Sequence, residues 1–123
     1  MSKTVMIVDD SSSMRQVVQI TLSSAGYTVV EAHDGRDALT KLNLRDERVH
    51  LIITDVNMPE MDGITFVKEV KKHSAYKFTP IIMLTTEGAA EKKQLGREAG
   101  ARAWMVKPFQ PQQMLDAVSK LIN

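Results

Sequence analysis

The sequence predicts a doubly wound α/β domain on a five-stranded parallel sheet. Three observations carry this. Five short β-rich runs alternate strictly with segments of helical periodicity, most of the runs are apolar throughout, and no Pro/Gly/Ser-rich linker or internal repeat interrupts the pattern across 123 residues. A strand covered on one face alternates apolar and polar residues, so a continuously apolar run implies cover on both faces. Crossover helices between parallel neighbours supply that cover. A chain of this length buries about two thirds of its extended surface, enough for a core without covalent staples.

The first run, Thr4 to Val8, stops at Asp9-Asp10. Ser11 to Ser13 can then cap a helix whose stripe is Met14, Val17, Val18, Leu22 and Ala25, and Gly26 is its stop. The second run, residues 27–32, leads into Asp34 and Asp37, a cap before Ala38, Leu39 and Leu42. The third run, residues 50–54, meets Asp55 and then turn chemistry, Asn57-Met58-Pro59 and Asp62-Gly63. Asp62 caps a helix carrying Ile64, Val67 and Val70.

The fourth run, residues 80–85, ends on Thr85-Thr86. In the segment that follows, residues 88–99, Leu95 is the only large apolar side chain, which predicts a loosely held helix open to partners. The fifth run, residues 102–106, ends at Lys107-Pro108. Pro111 then occupies the first turn of a helix with Met114, Leu115, Val118, Leu121 and Ile122 on one face.

Composition removes several function classes. Without cysteine there is no disulfide framework, thiol nucleophile or zinc-thiolate site. Sixteen basic and 15 acidic residues are interspersed, net +1, which gives no footprint for nucleic acid or an anionic membrane. The first apolar run is too short for a signal sequence or a membrane span, so a cytoplasmic, non-inserted domain is expected. The eight methionines are scattered like gap-fillers, and His33, His50 and His73 lack ligand spacing. Lys71, Lys72 and Lys77 read as a solvated face.

Ligands of open parallel sheets bind outside the carboxyl ends of the strands. Asp9, Asp10, Asp55, Thr85 and Lys107 all fall there. Two carboxylates about 5 Å apart repel by roughly 3 kcal/mol at an effective dielectric of 20, which a divalent cation would offset. An all-oxygen donor set suits the hard ion Mg²⁺. A carboxylate beside Mg²⁺ can attack a phosphoryl group, with Lys107 and Thr85 binding the phosphoryl oxygens.

Asp9-Asp10, the stretch Asp55 to Gly63 (DVNMPEMDG), Leu84-Thr85-Thr86 and Lys107-Pro108-Phe109 together resemble the receiver domain of bacterial two-component response regulators. The likeness covers essentially the whole chain and implies strand order 2-1-3-4-5. With no output domain expected after residue 123, it is most similar to stand-alone, chemotaxis-type receivers.

The resemblance implies that Asp55 accepts a phosphoryl group from a histidine kinase. Asp10, Asp55 and the backbone carbonyl of Asn57 would hold Mg²⁺, with Asp9 acting mainly through water. The resemblance implies that Thr85 moves toward the phosphoryl group and Trp104 turns inward, changing the face formed by the fourth helix, fifth strand and fifth helix. It implies a cis Lys107-Pro108 bond. Asn57 and Glu87 match the polar pair of receivers whose phosphoaspartate is short-lived.

A monomer, a flagellar motor switch protein as output partner and chemotaxis control are expected. A phosphate sink or an adaptor in another pathway stays open, as does a dedicated phosphatase. Ser11 and Trp104 depart from the chemotaxis pattern, which often has a large aromatic at the first position and Tyr or Phe at the second. A haloacid-dehalogenase-type phosphohydrolase would need an acid where Asn57 stands, and a flavin carrier's phosphate would be repelled by Asp9 and Asp10.

Overall fold

The computed structural model of the chain describes residues 3–44, 48–58, 61–85 and 90–122, with the backbone alone for 90–93. The elements alternate as β1 (Thr4–Val8), α1 (Ser12–Ser24), β2 (Thr28–Ala32), α2 (Gly35–Leu44), β3 (Leu51–Asp55), α3 (Gly63–Lys72), β4 (Ile81–Thr85), α4 (Ala90–Ala99), β5 (Ala103–Val106) and α5 (Pro111–Leu121). All pairings are parallel, in the order β2-β1-β3-β4-β5.

The sheet explains which runs are apolar throughout. β1, β3 and β4 are interior strands and every residue in them is buried, whereas the edge strands β2 and β5 are only partly covered. Successive side chains point to opposite faces. Val5, Ile7, Ile53, Ile82 and Leu84 therefore pack with Val18 and Leu22 of α1 and Met114 and Val118 of α5. Met6, Val8, Ile52, Ile81 and Met83 meet Ala38 and Leu42 of α2 and Phe66, Val67 and Val70 of α3.

Local chemistry sets the helix ends. Ser11 accepts the Met14 N–H at 3.2 Å, Asp34 the Asp37 N–H at 2.8 Å, and Asp62 the Thr65 N–H at 2.8 Å. Gly26 follows α1 at φ +95°, a left-handed conformation that favours glycine. In α4, Gly96 alone of residues 94–99 is buried, and Leu95 is exposed. Over residues 94–99 the helix gives the core only Gly96 and the partly buried Ala99.

Lys71 departs from the expected solvated face. Its Nζ donates to the Thr79 carbonyl at 2.7 Å and its stem lies against Gly100. Burial lowers its pKa, and Arg102 adds to the effect. A long aliphatic stem covers apolar surface while its head finds a carbonyl, which a run of lysines in sequence does not reveal. Lys72 pairs with Glu69 at 3.0 Å and Lys77 lies over the Phe78 ring.

His50 ties β1 to the approach to β3. Its Nδ1 accepts the Thr4 N–H at 3.0 Å, and its own backbone N–H donates to the Thr4 carbonyl at 2.8 Å. Burial, then Lys3 and Arg48, lowers its pKa. A lowered histidine pKa contributes stability present above the unfolded value and lost as pH falls through it toward the folded one. Between about pH 7.5 and about pH 5.5, the wild type's urea midpoint is expected to fall more than that of His50→Gln.

Candidate functional site

Strand register brings the functional residues together. Val8 pairs with Thr54, Asp55 with Leu84, and Thr85 with Val106. Asp9, Asp55, Thr85 and Lys107 thus emerge side by side at the carboxyl edge of four adjacent strands. Carboxylate oxygens of Asp9, Asp10 and Asp55 all lie within 4.8 Å of one another.

The acids have different surroundings. Asp9 is fully buried. One of its oxygens accepts the Ser11 N–H at 2.9 Å and the other meets Lys107 Nζ at 2.9 Å. Arg15 Nη1 donates to the Asp9 carbonyl at 2.7 Å while its Nε pairs with Glu31 at 3.1 Å, which fixes the start of α1 against β2. Asp10 is exposed. Asp55 is 7% exposed, closes β3, accepts the Val56 N–H at 2.9 Å and stands 3.5 Å from Lys107 Nζ.

Burial is the main force on Asp55 and pushes its carboxyl pKa up. Lys107 opposes the shift, Asp9 adds to it, and the backbone N–H groups of Val56 and Asn57 partly offset it. Its anion is therefore under-solvated. A raised acid pKa means that the unfolded chain releases its proton first as pH rises, so Asp55's contribution is most favourable below the unfolded value of about 3.9. It becomes less favourable as pH climbs through the folded value. In metal-free neutral buffer, Asp55→Asn is expected to melt above the wild type, and the gap is expected to close on acidification.

Thr85 is buried at the end of β4, and its carbonyl accepts the Lys107 N–H at 2.6 Å. The Lys107-Pro108 peptide is cis. Asn57 is exposed in the loop after β3. Trp104 belongs to β5 and is half-buried against the core beside α4. Glu87, Pro59 and Thr86 lie outside the described residues. Motif reading took in Gly63 but not its close approach to β3, which shapes the loop behind Asp55. A glycine two residues before Thr65, where a helix cap ends, gave only a turn signal.

Three carboxylates and one ammonium leave the pocket net negative, and every donor atom the acids offer is oxygen. The cluster can hold a divalent cation of the hard, oxygen-loving kind. Among the described residues, no helix is long and apolar enough to cross a membrane.

Residues 5–119 match the family model of the response regulator receiver domain. The chain is 41% identical over 119 residues to the chemotaxis protein CheY1 of Helicobacter pylori, spanning 96% of this chain and 95% of that protein. It is 40% identical to the chemotaxis protein CheY homolog of Campylobacter jejuni, spanning 96% and 91% respectively. The solved structure of Vibrio cholerae chemotaxis protein CheY4 aligns with a TM-score of 0.93 at 51% identity, covering 99% of this chain and 100% of that one.

Proposed function

Because this chain belongs to the response regulator receiver family, we propose that it is a phosphorylation-activated switch in which Asp55 accepts a phosphoryl group from a histidine kinase. The observation that carries this reading is the meeting of Asp9, Asp10 and Asp55 within 4.8 Å beside Lys107. The domain works as a signalling switch rather than a conventional enzyme.

An Asp55 carboxylate oxygen attacks the phosphorus of a phosphohistidine. The new oxygen–phosphorus bond forms as the nitrogen–phosphorus bond breaks, and the imidazole leaves with its electron pair and takes a proton from water. Asp9, Asp10, Asp55 and the Asn57 carbonyl would hold Mg²⁺, with Asp9 acting mainly through water. When bound, Mg²⁺ supplies positive charge that offsets the repulsion among the carboxylates and the incoming phosphoryl oxygens. Under-solvation of the Asp55 anion favours both cation binding and nucleophilic attack.

Phosphorylation moves negative charge from Asp55 onto the phosphoryl oxygens. Lys107 follows it, exchanging Asp55 for a phosphoryl oxygen while keeping the Asp9 contact. Thr85 donates its hydroxyl to a second oxygen, and the shift at the end of β4 is passed to Trp104 on the neighbouring strand. Contacts of this kind to an ionised group are about twice as strong as neutral hydrogen bonds. Asn57, together with Glu87, tunes hydrolysis of the acyl phosphate.

The output is a change in what the α4-β5-α5 face binds. The names of the chemotaxis relatives support a part in chemotaxis, and on that reading the output partner is a flagellar motor switch protein in the cytoplasm. Beryllium fluoride with Mg²⁺ mimics the acyl phosphate without chemistry, and Trp104 is the chain's single tryptophan. The wild type's fluorescence is expected to change on adding both reagents. Thr85→Ala is expected to gain a phosphoryl group from acetyl phosphate and yet lose most of that optical response. A full response in Thr85→Ala would contradict the hydroxyl's part in switching.

A further inference from the structure

Met83 and Trp104 are register partners on β4 and β5, so their side chains lie next to each other on one face of the sheet. Gly96 of α4 crosses directly over both. A Cβ at position 96 would stand 2.7 Å from Met83 Sδ and 2.8 Å from Trp104 Cζ3. The thioether can bend away at its own torsions, but the indole is internally rigid and clears the contact only by turning as a whole. Glycine is also costly in the middle of a helix, where alanine is favoured. Position 96 therefore gives up helix stability, and what it gains is room for a ring.

Two further observations concern the ring itself. Trp104 Nε1 is buried and finds no hydrogen-bond partner among the described residues. An indole N–H withheld from water without an acceptor is unfavourable, so packing alone holds the ring where it is. On its other side an open groove of about 800 Å³ runs between β5 and α5, bounded by Val106, Gln113, Asp116 and Lys120. The ring has a close-fitting slot under α4 and an alternative place beside it.

We propose that Gly96 is the residue that admits the indole of Trp104 beneath α4 and thereby sets which way the ring lies. Any side chain at position 96 displaces the ring toward the β5-α5 groove. Since Gly96 is the one buried position among residues 94–99, the same contact seats α4, and the orientation of the ring and the seating of α4 are one event. The inference rests on the switch reading for its functional meaning: a chain with a side chain at 96 cannot keep Trp104 turned inward.

The test is a stability and fluorescence cycle on the full chain, with wild type, Gly96→Ala, Trp104→Phe and the double variant. Gly96→Ala is expected to lower the melting temperature in the tryptophan background. In the Trp104→Phe background the slot is no longer filled, helix propensity takes over, and the same change is expected to raise it. Gly96→Ala is also expected to shift Trp104 emission to the red, increase its quenching by acrylamide and abolish the response to beryllium fluoride and Mg²⁺.

A Gly96→Ala that is stabilising in both backgrounds, with wild-type quenching, overturns the inference. If the wild type itself ignores beryllium fluoride while the cycle changes sign as expected, the slot stands and the switch reading fails.

Discussion

Asp55→Ala is expected to gain no phosphoryl group from acetyl phosphate and Mg²⁺ under conditions that fully modify the wild type, as read by intact mass. The effect is all-or-none because the neighbouring acids cannot substitute. Asp9 is fully buried, with one oxygen committed to the Ser11 N–H and the other to Lys107. Asp10 is exposed, and Lys107 reaches inward to Asp9 and Asp55, so Asp10 lacks the ammonium that would steady an attached phosphoryl group. Asp55 combines access to that ammonium with a buried, under-solvated anion. Undiminished uptake in Asp55→Ala would mean that another residue is the acceptor and would contradict the role assigned to Asp55.

Gly63→Ala is expected to destabilise the fold by about 3 kcal/mol, at the upper end of ordinary overpacking. A Cβ there would stand 2.1 Å from the Asp55 carbonyl oxygen and 2.9 Å from Val56 Cα, and both obstacles are backbone. No rotamer change relieves that. The Gly63 N–H also donates to the Val56 carbonyl at 2.8 Å, so moving α3 away breaks a bond that closes the loop behind Asp55. Urea denaturation measures the loss, and acetyl phosphate labelling of the folded fraction is expected to slow as well. A variant as stable as the wild type would mean that α3 can slide along the sheet.

Much of the fold and the site is legible in the amino-acid sequence. Buried strands read as apolar runs because interior parallel strands are covered on both faces, and the acids, Thr85 and Lys107 read as a site because strand ends converge in such sheets. Helix caps at Ser11, Asp34 and Asp62 read from residue type alone, since each chemistry is local.

What stays hidden in the sequence depends on distances between segments. Adjacent aspartates look alike, yet alternation along the chain buries Asp9 on Lys107 and leaves Asp10 in solvent. Lys71 joins a lysine-rich stretch in sequence and a carbonyl in space. Gly63 reads as a turn residue, and Gly96 carries no signal of its own. Their spacing from Asp55 and Trp104 becomes visible only once α3 and α4 lie on the sheet.

The most direct measurement of the central claim is peptide mapping of the wild type after acetyl phosphate treatment, with the acyl phosphate trapped by borohydride reduction. One modified residue is expected, Asp55, labelled with Mg²⁺ present and unlabelled in chelator. Label on any other residue, or equal label without the metal, would contradict the switch.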